Sequence, residues 1–314
     1  MTTRPRRRAP LRALLLLSLL LAAAPARAHD FWIEPSSFTP HPHDAVTLRL
    51  MVGERFAGDG VLRSDAMIVR FVVLGPAGEI RVQGRDGADP AGLALLGGPG
   101  LYVAGYRSKP SPVELEAGKF EAYLQLEGLD AISSLRAARG QSDKPGRERY
   151  ARCAKALLAI GPEAAKQKDA PLGFTLELVA EKNPYALAPG DELPLRLTYD
   201  GAPIAGVLVT AFSKEHPGAS VAARTDKEGR VKLRLASPGI WLAKAVHMIP
   251  LPAGEDAEFE SFWASLTFAL GAPAAPGKLS SLRALAICPA RRNAGGSGGP
   301  PHAFFASAPC LGMR

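Results

Sequence analysis

The 314 residues are enough for about two domains, and the 47% hydrophobic content allows each a sizeable core. With 32 Gly and 28 Pro the composition favours a turn-rich β architecture over a helical bundle. The formal charge of +8 does not mark a nucleic-acid binder: residues 1–28 and 271–314 hold six and five basic residues and no acid, which leaves 27 basic against 30 acidic residues in 29–270.

Residues 1–28 read as a secretory signal. Arg6, Arg7, Arg8 and Arg12 form a basic start, residues 13–24 are a Leu/Ala-rich run, and Ala26-Arg27-Ala28 fits the small-x-small cleavage pattern. The alternative, a membrane anchor, needs about 20 apolar residues, more than this run supplies. Cleavage after Ala28 implies export and a mature chain that starts with His29.

Residues 30–35 are aromatic and extended in character, and residues 38–44 are a proline-punctuated connection. Strands are expected over 45–52, 67–74, 80–83 and 101–106. Helical spacing then predicts helices over 117–127, 131–138 and 146–160, with Gly128, Gly140 and Gly161-Pro162 as their stops. Residues 163–172 read as a linker. Strands are expected again over 174–180, 191–199, 206–213, 221–225, 230–235, 241–247 and 261–270, with turn chemistry at Asp200-Gly201, Glu228-Gly229 and Pro238-Gly239. The fold class is therefore mainly β: two sandwich-like domains, 29–162 and 173–270, with a few helices near the end of the first. Residues 271–314 lack acid and periodicity and read as a disordered tail or as a C-terminus altered by a reading-frame shift. Cys153 is the sole cysteine of 29–270, so neither a disulfide framework nor a thiolate metal site is supported.

Several motifs resemble one family. They are Ala28-His29-Asp30-Phe31-Trp32-Ile33-Glu34-Pro35, then Lys119-Phe120-Glu121-x-Tyr123-Leu124-x-x-Glu127-Gly128-Leu129, then Tyr150-x-Arg152-x-x-Lys155, and Glu177-Leu178-Val179-x-x-x-Asn183-Pro184-Tyr185. Gly201-x-Pro203-x-x-Gly206-x-x-Val209, Thr225-Asp226-x-x-Gly229 and Pro238-Gly239-x-Trp241 complete the series. In this order they resemble the DUF4198 family of exported proteins, grouped with periplasmic components of nickel and cobalt uptake. The last three motifs also resemble carboxypeptidase-regulatory or transthyretin-like sandwiches. The resemblance implies a periplasmic β-rich protein linked to transition-metal handling, with membrane uptake components as partners.

The residues offer a matching chemistry. An N-terminal histidine supplies two nitrogen ligands, its α-amine and Nδ1, and Ni(II), Co(II) and Cu(II) all favour such donors. His29 is the first candidate ligand. His247 is the preferred distant partner, because it falls after the Pro-Gly-x-Trp pattern; as the end of an apolar strand face it also reads as a packed core residue. His41 and His43 share a face if their segment is extended, and are solvated loop histidines if it turns. Asp30 and Glu34 are candidates to orient a metal-bound His29 imidazole. Tyr150, Arg152 and Lys155 fall close together on the expected helix and could hold an anion or simply pack. Nucleophile-elbow, phosphate-loop, zinc-protease and paired-carboxylate signatures are absent, which argues against a hydrolase. The expected function is thus non-enzymatic binding of Ni(II) or Co(II), with Cu(II) as a further candidate, for delivery to an uptake transporter. No nucleic acid and no small organic cofactor is implied. Two alternatives stand beside it: a copper enzyme with an N-terminal histidine brace, and a metal-free module that docks a membrane partner.

Overall fold

The structure is a computed structural model that describes residues 30–271. The expected start at His29 and the tail 272–314 lie outside the described residues. In chain order the strands are β1 (Asp30–Pro35), β2 (Ala45–Glu54), β3 (Ala57–Val61), β4 (Ile68–Gly75), β5 (Gly78–Arg81), β6 (Gly92–Leu95), β7 (Gly100–Ser108) and β8 (Ser111–Leu115). Helices α1 (Ala117–Leu126) and α2 (Asp130–Ala138) follow, and then β9 (Gly146–Ile160) and β10 (Leu176–Ala180). The chain continues through β11 (Glu192–Tyr199), β12 (Ala202–Pro203), β13 (Leu208–Ser213), β14 (Ser220–Arg224), β15 (Arg230–Arg234), β16 (Gly239–Pro250) and β17 (Phe259–Leu270).

The mainly β, sandwich-like expectation holds, with three layers. A nine-stranded sheet lies in the middle, ordered β14-β13-β16-β17-β9-β7-β4-β5, with β8 beside the first part of β9. A sheet of β1, β2, β3 and β6 covers one face, and a sheet of β10, β11, β12 and β15 covers the other. Strand periodicity sorts the side chains between them. On β9, Cys153, Leu157 and Ala159 pack toward β10 and β11, whereas Ala154, Ala156, Leu158 and Ile160 pack toward β1 and β2. Helices α1 and α2 extend the face that the β1–β2 sheet covers, where Phe120, Tyr123, Leu124 and Ile132 cover Val246, Met248 and Phe259.

Residues 146–160 are a strand and not the expected helix. Both faces of β9 are buried, so its apolar residues form a continuous run with no period of two to read. The tertiary setting overrides an Ala/Leu-rich helical propensity. Strands β3, β6 and β8 also escape the sequence patterning. β3 is Gly-rich, β6 presents Leu93 and Leu95 to solvent, and β8 carries Pro112.

The sheet joins the two expected modules. β17 and β9 pair in parallel from Phe259↔Glu148 to Thr267↔Ala156. Residues 163–172 do more than link: Ala164, Asp169 and Leu172 are buried. No described helix is long and apolar enough to cross a membrane.

Candidate functional site

β1 places its residues by parity. Phe31 and Ile33 enter the core between the layers, and Asp30, Trp32 and Glu34 share the other side. Asp30 is only 3% exposed. Its carboxylate faces the ammonium of Lys244 on β16 at 2.6 Å and accepts the backbone N–H of Arg55 at 3.1 Å. Lys244 also reaches Glu127, the residue that caps the C-terminus of α1, at 2.7 Å. One ammonium thus bridges two buried carboxylates. Burial alone would lower the Lys244 pKa, but Glu127 and Asp30 outweigh it and hold the ammonium above its ordinary value. Glu127 is raised, because its burial outweighs its share of Lys244.

Aromatic rings wall this cluster. Lys244 Nζ lies 5.9 Å from the ring of Phe212 and 6.0 Å from that of Trp263. The Arg55 guanidinium stands 5.4 Å over Phe212. Phe56 meets Trp32 edge to face at 5.6 Å. Glu34, further along β1, accepts the Trp32 indole N–H at 3.3 Å and pairs with Lys214 at 3.1 Å.

Arg55 and Phe56 form the tip of the β2–β3 hairpin, and both have left-handed backbones, φ 51° and 68°. A two-residue hairpin turn of this hand normally takes Asn-Gly, since each such L-residue costs about 1–2 kcal/mol. The tip keeps this geometry while it holds Asp30 through Arg55 N–H and Trp32 through Phe56. A readable trace was the glycine pair that flanks the tip. A Cβ on Gly53 would fall 2.1 Å from the Ala57 carbonyl oxygen, and one on Gly58 2.1 Å from that of Val52.

Beside Lys244, Ser265 on β17 is its register partner, with its side chain on the same face. Ser265 is 4% exposed and its Oγ has no hydrogen-bond partner. From here polar contacts continue under α1. Trp263 donates to Ser261 Oγ at 3.1 Å and stacks on Tyr123 at 5.6 Å, and the Tyr123 hydroxyl donates to Glu148 at 3.2 Å. Burial pushes the Glu148 carboxyl up to about 7, against hydrogen bonds from Tyr123 and Ser261.

Of the expected ligands, the described histidines fall at separate places. His29 lies outside the described residues. His41 and His43 lie beyond the far end of β1, which at about 3.3 Å per residue runs roughly 17 Å from Asp30. Their segment turns, with His43 at φ 68°, so the shared face of an extended segment is not realised. His41 is exposed and its Nδ1 lies 3.5 Å from Asp44. His247 follows the parity of Ala243 and Ala245 toward the β10–β11 layer, where its ring meets the Tyr199 ring at 4.8 Å. Lys244, on the opposite parity, faces Asp30. Burial lowers the His247 pKa, which disfavours the protonated imidazole. Among the described residues no group of three or more His, Cys, Asp or Glu is arranged to hold a metal ion. Asp30 and Glu34 are both engaged by lysines.

The strand character of β9 also divides the expected Tyr150, Arg152 and Lys155 cluster. Arg152 stacks over Phe31 and Tyr150 at 4.3 and 5.3 Å. Lys155 points to the other layer and is saturated there by Asp169, Glu177 and the carbonyls of Ala170 and Leu178, each at 3.1 Å. Burial raises the Cys153 thiol to about 11, which disfavours its thiolate.

With this geometry in place, comparison with known proteins bears on identity. The profile of a domain of unknown function, DUF4198, matches residues 26–249. The chain belongs to the DUF4198 family. The DUF4198 match takes in β1, the hairpin tip, Glu127 and Lys244, so every residue of the buried ion cluster falls inside it. No curated protein matches this DUF4198 chain. Among solved structures, the D0-D1 domain of Intimin is 13% identical, with 76% of this chain and 97% of that one covered and a TM-score of 0.17. A Salmonella alpha-2-macroglobulin point mutant is 16% identical over 78% of this chain and 15% of its own, also with a TM-score of 0.17. Likeness at that score bears on neither the fold nor the function of the DUF4198 protein.

Proposed function

We propose that this DUF4198 protein is exported, is cut after Ala28, and binds a divalent transition-metal ion through the α-amine and Nδ1 of His29. The ion is cargo: Ni(II) or Co(II), with Cu(II) as a further candidate, captured in the periplasm and passed to membrane uptake components. No enzymatic step is assigned.

One observation supports this reading above the others. Asp30, which follows His29 in the chain, is buried and fixed from two sides, by Lys244 at 2.6 Å and by the Arg55 N–H at 3.1 Å. A chain that begins one residue earlier has its chelating group attached to a rigid strand and not to a free tether, which reduces the ordering cost of binding. The free amine titrates near 8, so its conversion to a ligand is accessible at neutral pH.

The positions of His41, His43 and His247 narrow the donor set. Among the described residues, His247 packs on Tyr199 and His41 lies exposed in a turn, so the copper-enzyme reading draws no support from a converging histidine pair.

The test is direct. Mass spectrometry of the exported protein is expected to give a mature start at His29. Titration calorimetry on that species is expected to show Ni(II) or Co(II) binding that His29→Ala abolishes. A mature start elsewhere, or an unchanged affinity in the variant, would sink the reading.

A further inference from the structure

We infer that two copies of this chain associate about a two-fold axis through β5, the outermost strand at one end of the nine-stranded sheet. The inference is independent of the metal reading above.

Three observations carry it. First, the edge is open and its hydrogen-bonding parity is fixed. The sheet ends at β5, whose residues are all exposed. Val82 N–H donates to the Phe71 carbonyl at 2.9 Å, so in the alternating ladder Ile80 and Gly78 also turn their backbone groups to β4. Glu79 and Arg81 turn theirs outward. The Arg81 carbonyl accordingly accepts from outside the ladder, from the Gln83 side-chain amide at 3.2 Å. This exposed contact is easily exchanged for a backbone one. An edge of this kind is a template for another strand.

Second, the strand is complementary to itself. Two copies of Glu79-Ile80-Arg81, set antiparallel about an axis between their Ile80 residues, place Glu79 of each opposite Arg81 of the other. The Ile80 residues then form a non-hydrogen-bonded pair, as their parity requires, and each Glu79–Arg81 pair exchanges its outward backbone bonds. Opposite charges face each other across both pairs, which stabilises the pairing, whereas an edge with charges of one sign would repel its copy. Glu79 keeps Arg70 of its own chain on β4.

Third, apolar surface is uncovered at the same place. Ile80 shares the face of its register partner Val73, and both line a cavity of about 310 Å³ with Tyr102 and Leu95. Ile80 is 40% exposed and Leu95 69%. Leu93, 45% exposed, bridges Gln83 and marks where the open edge ends. Directly opposed side chains share a face, so Ile80 of the second copy packs on Ile80 at the mouth of this cavity. The axis thus removes apolar surface from water while it satisfies the edge, and the isologous contact closes at two chains.

The experiment uses the full exported chain. Sedimentation velocity from low micromolar to millimolar protein is expected to show a monomer–dimer equilibrium, and the Glu79 and Arg81 amides are expected to exchange more slowly at the high end. Arg81→Glu and Glu79→Arg are each expected to weaken the dimer about tenfold or more, because each sets like charges opposite one another. An equimolar mixture of the two variants restores complementarity and is expected to dimerise as the parent does. If Glu79→Arg does not fold, Arg81→Pro serves in its place: it deletes one outward N–H, leaves the β4–β5 ladder intact, and is expected to weaken the dimer. A parent that stays monomeric throughout, or that forms larger open-ended assemblies, overturns the inference. So does a dimer that Arg81→Glu leaves unchanged, or one whose Glu79 and Arg81 amides exchange as in the monomer.

Discussion

Glu148 shows how a single residue's surroundings set its chemistry. It is 3% exposed beneath α1, and burial raises its carboxyl from 4.5 to about 7 despite hydrogen bonds from Tyr123 and Ser261. Between those two values the folded protein holds a proton that the unfolded chain has lost. Stability from this group is therefore complete below about pH 4.5 and is lost as pH rises through about 7, a difference of about 3 kcal/mol in all. Glu148→Gln keeps an acceptor for the Tyr123 hydroxyl and removes the ionisation. The variant is expected to match the parent at low pH and to be more stable by about 2–3 kcal/mol at pH 8, read by urea denaturation at both. A gap between variant and parent that does not change with pH would refute this account. The residue was not legible beforehand, since nothing in Gly146-Arg147-Glu148-Arg149 separates a buried acid from a solvated one. The same holds for Lys244, which sits in an otherwise apolar strand. His29 and Asp30 could be singled out because the cleavage pattern marks them, whereas the partners of Asp30 come from strands and helices distant in sequence.

Elements differ in how much they disclose. α1 and α2 were readable because one stripe packs on the sheet and the rest meets solvent, so the helical period survives. β16 and β17 were readable from their β-branched and aromatic content. β9 was not, because burial on both faces erases its alternation, and its Ala, Leu, Lys and Arg residues favour a helix locally. A peptide of residues 146–160 is accordingly expected to show helical circular dichroism in helix-promoting alcohol, with no β signature. A β spectrum there would mean that the strand is encoded locally and that context is not the reason. The β2–β3 hairpin shows the opposite case, a turn that holds its shape against local preference. Arg55→Gly removes about 1–2 kcal/mol of left-handed strain but loses the guanidinium over Phe212 and adds chain entropy, so stability is expected to stay within about 1 kcal/mol of the parent. Arg55→Pro forbids the backbone angle and deletes the N–H held by Asp30, and is expected to cost about 3 kcal/mol or more. Thermal unfolding of the pair tests this, and equal losses in both variants would contradict it.

At the scale of the molecule, the linear reading placed two sandwiches in series, whereas the layers of the structure share one central sheet. What the linear reading could not supply is this shared middle layer. β17 returns beside β9 in parallel, a pairing that spans more than a hundred residues and leaves no local signature. Other contacts stitch the same seam. Thr267 donates to the carbonyl of Ile33 at 2.8 Å, and the buried Tyr185 hydroxyl lies 2.9 Å from the carbonyl of Phe38 and 2.8 Å from that of Leu157. Lys155 binds Asp169 and Glu177, and Lys244 binds Asp30 and Glu127, so each buried ion cluster joins elements from both sides of residues 163–172. Opening either half alone would expose one face of the nine-stranded sheet and leave charges buried or unpaired, which costs several kcal/mol per cluster. The two halves are therefore expected to unfold as one cooperative unit. Native-state hydrogen exchange can read this directly, because the slowest amides of β7 and β9 and those of β16 and β17 should open with the same free energy and the same denaturant dependence. If β16 and β17 exchange at clearly lower denaturant than β7 and β9, the shared sheet does not couple the halves, and the seat of Asp30 can open without unfolding the rest.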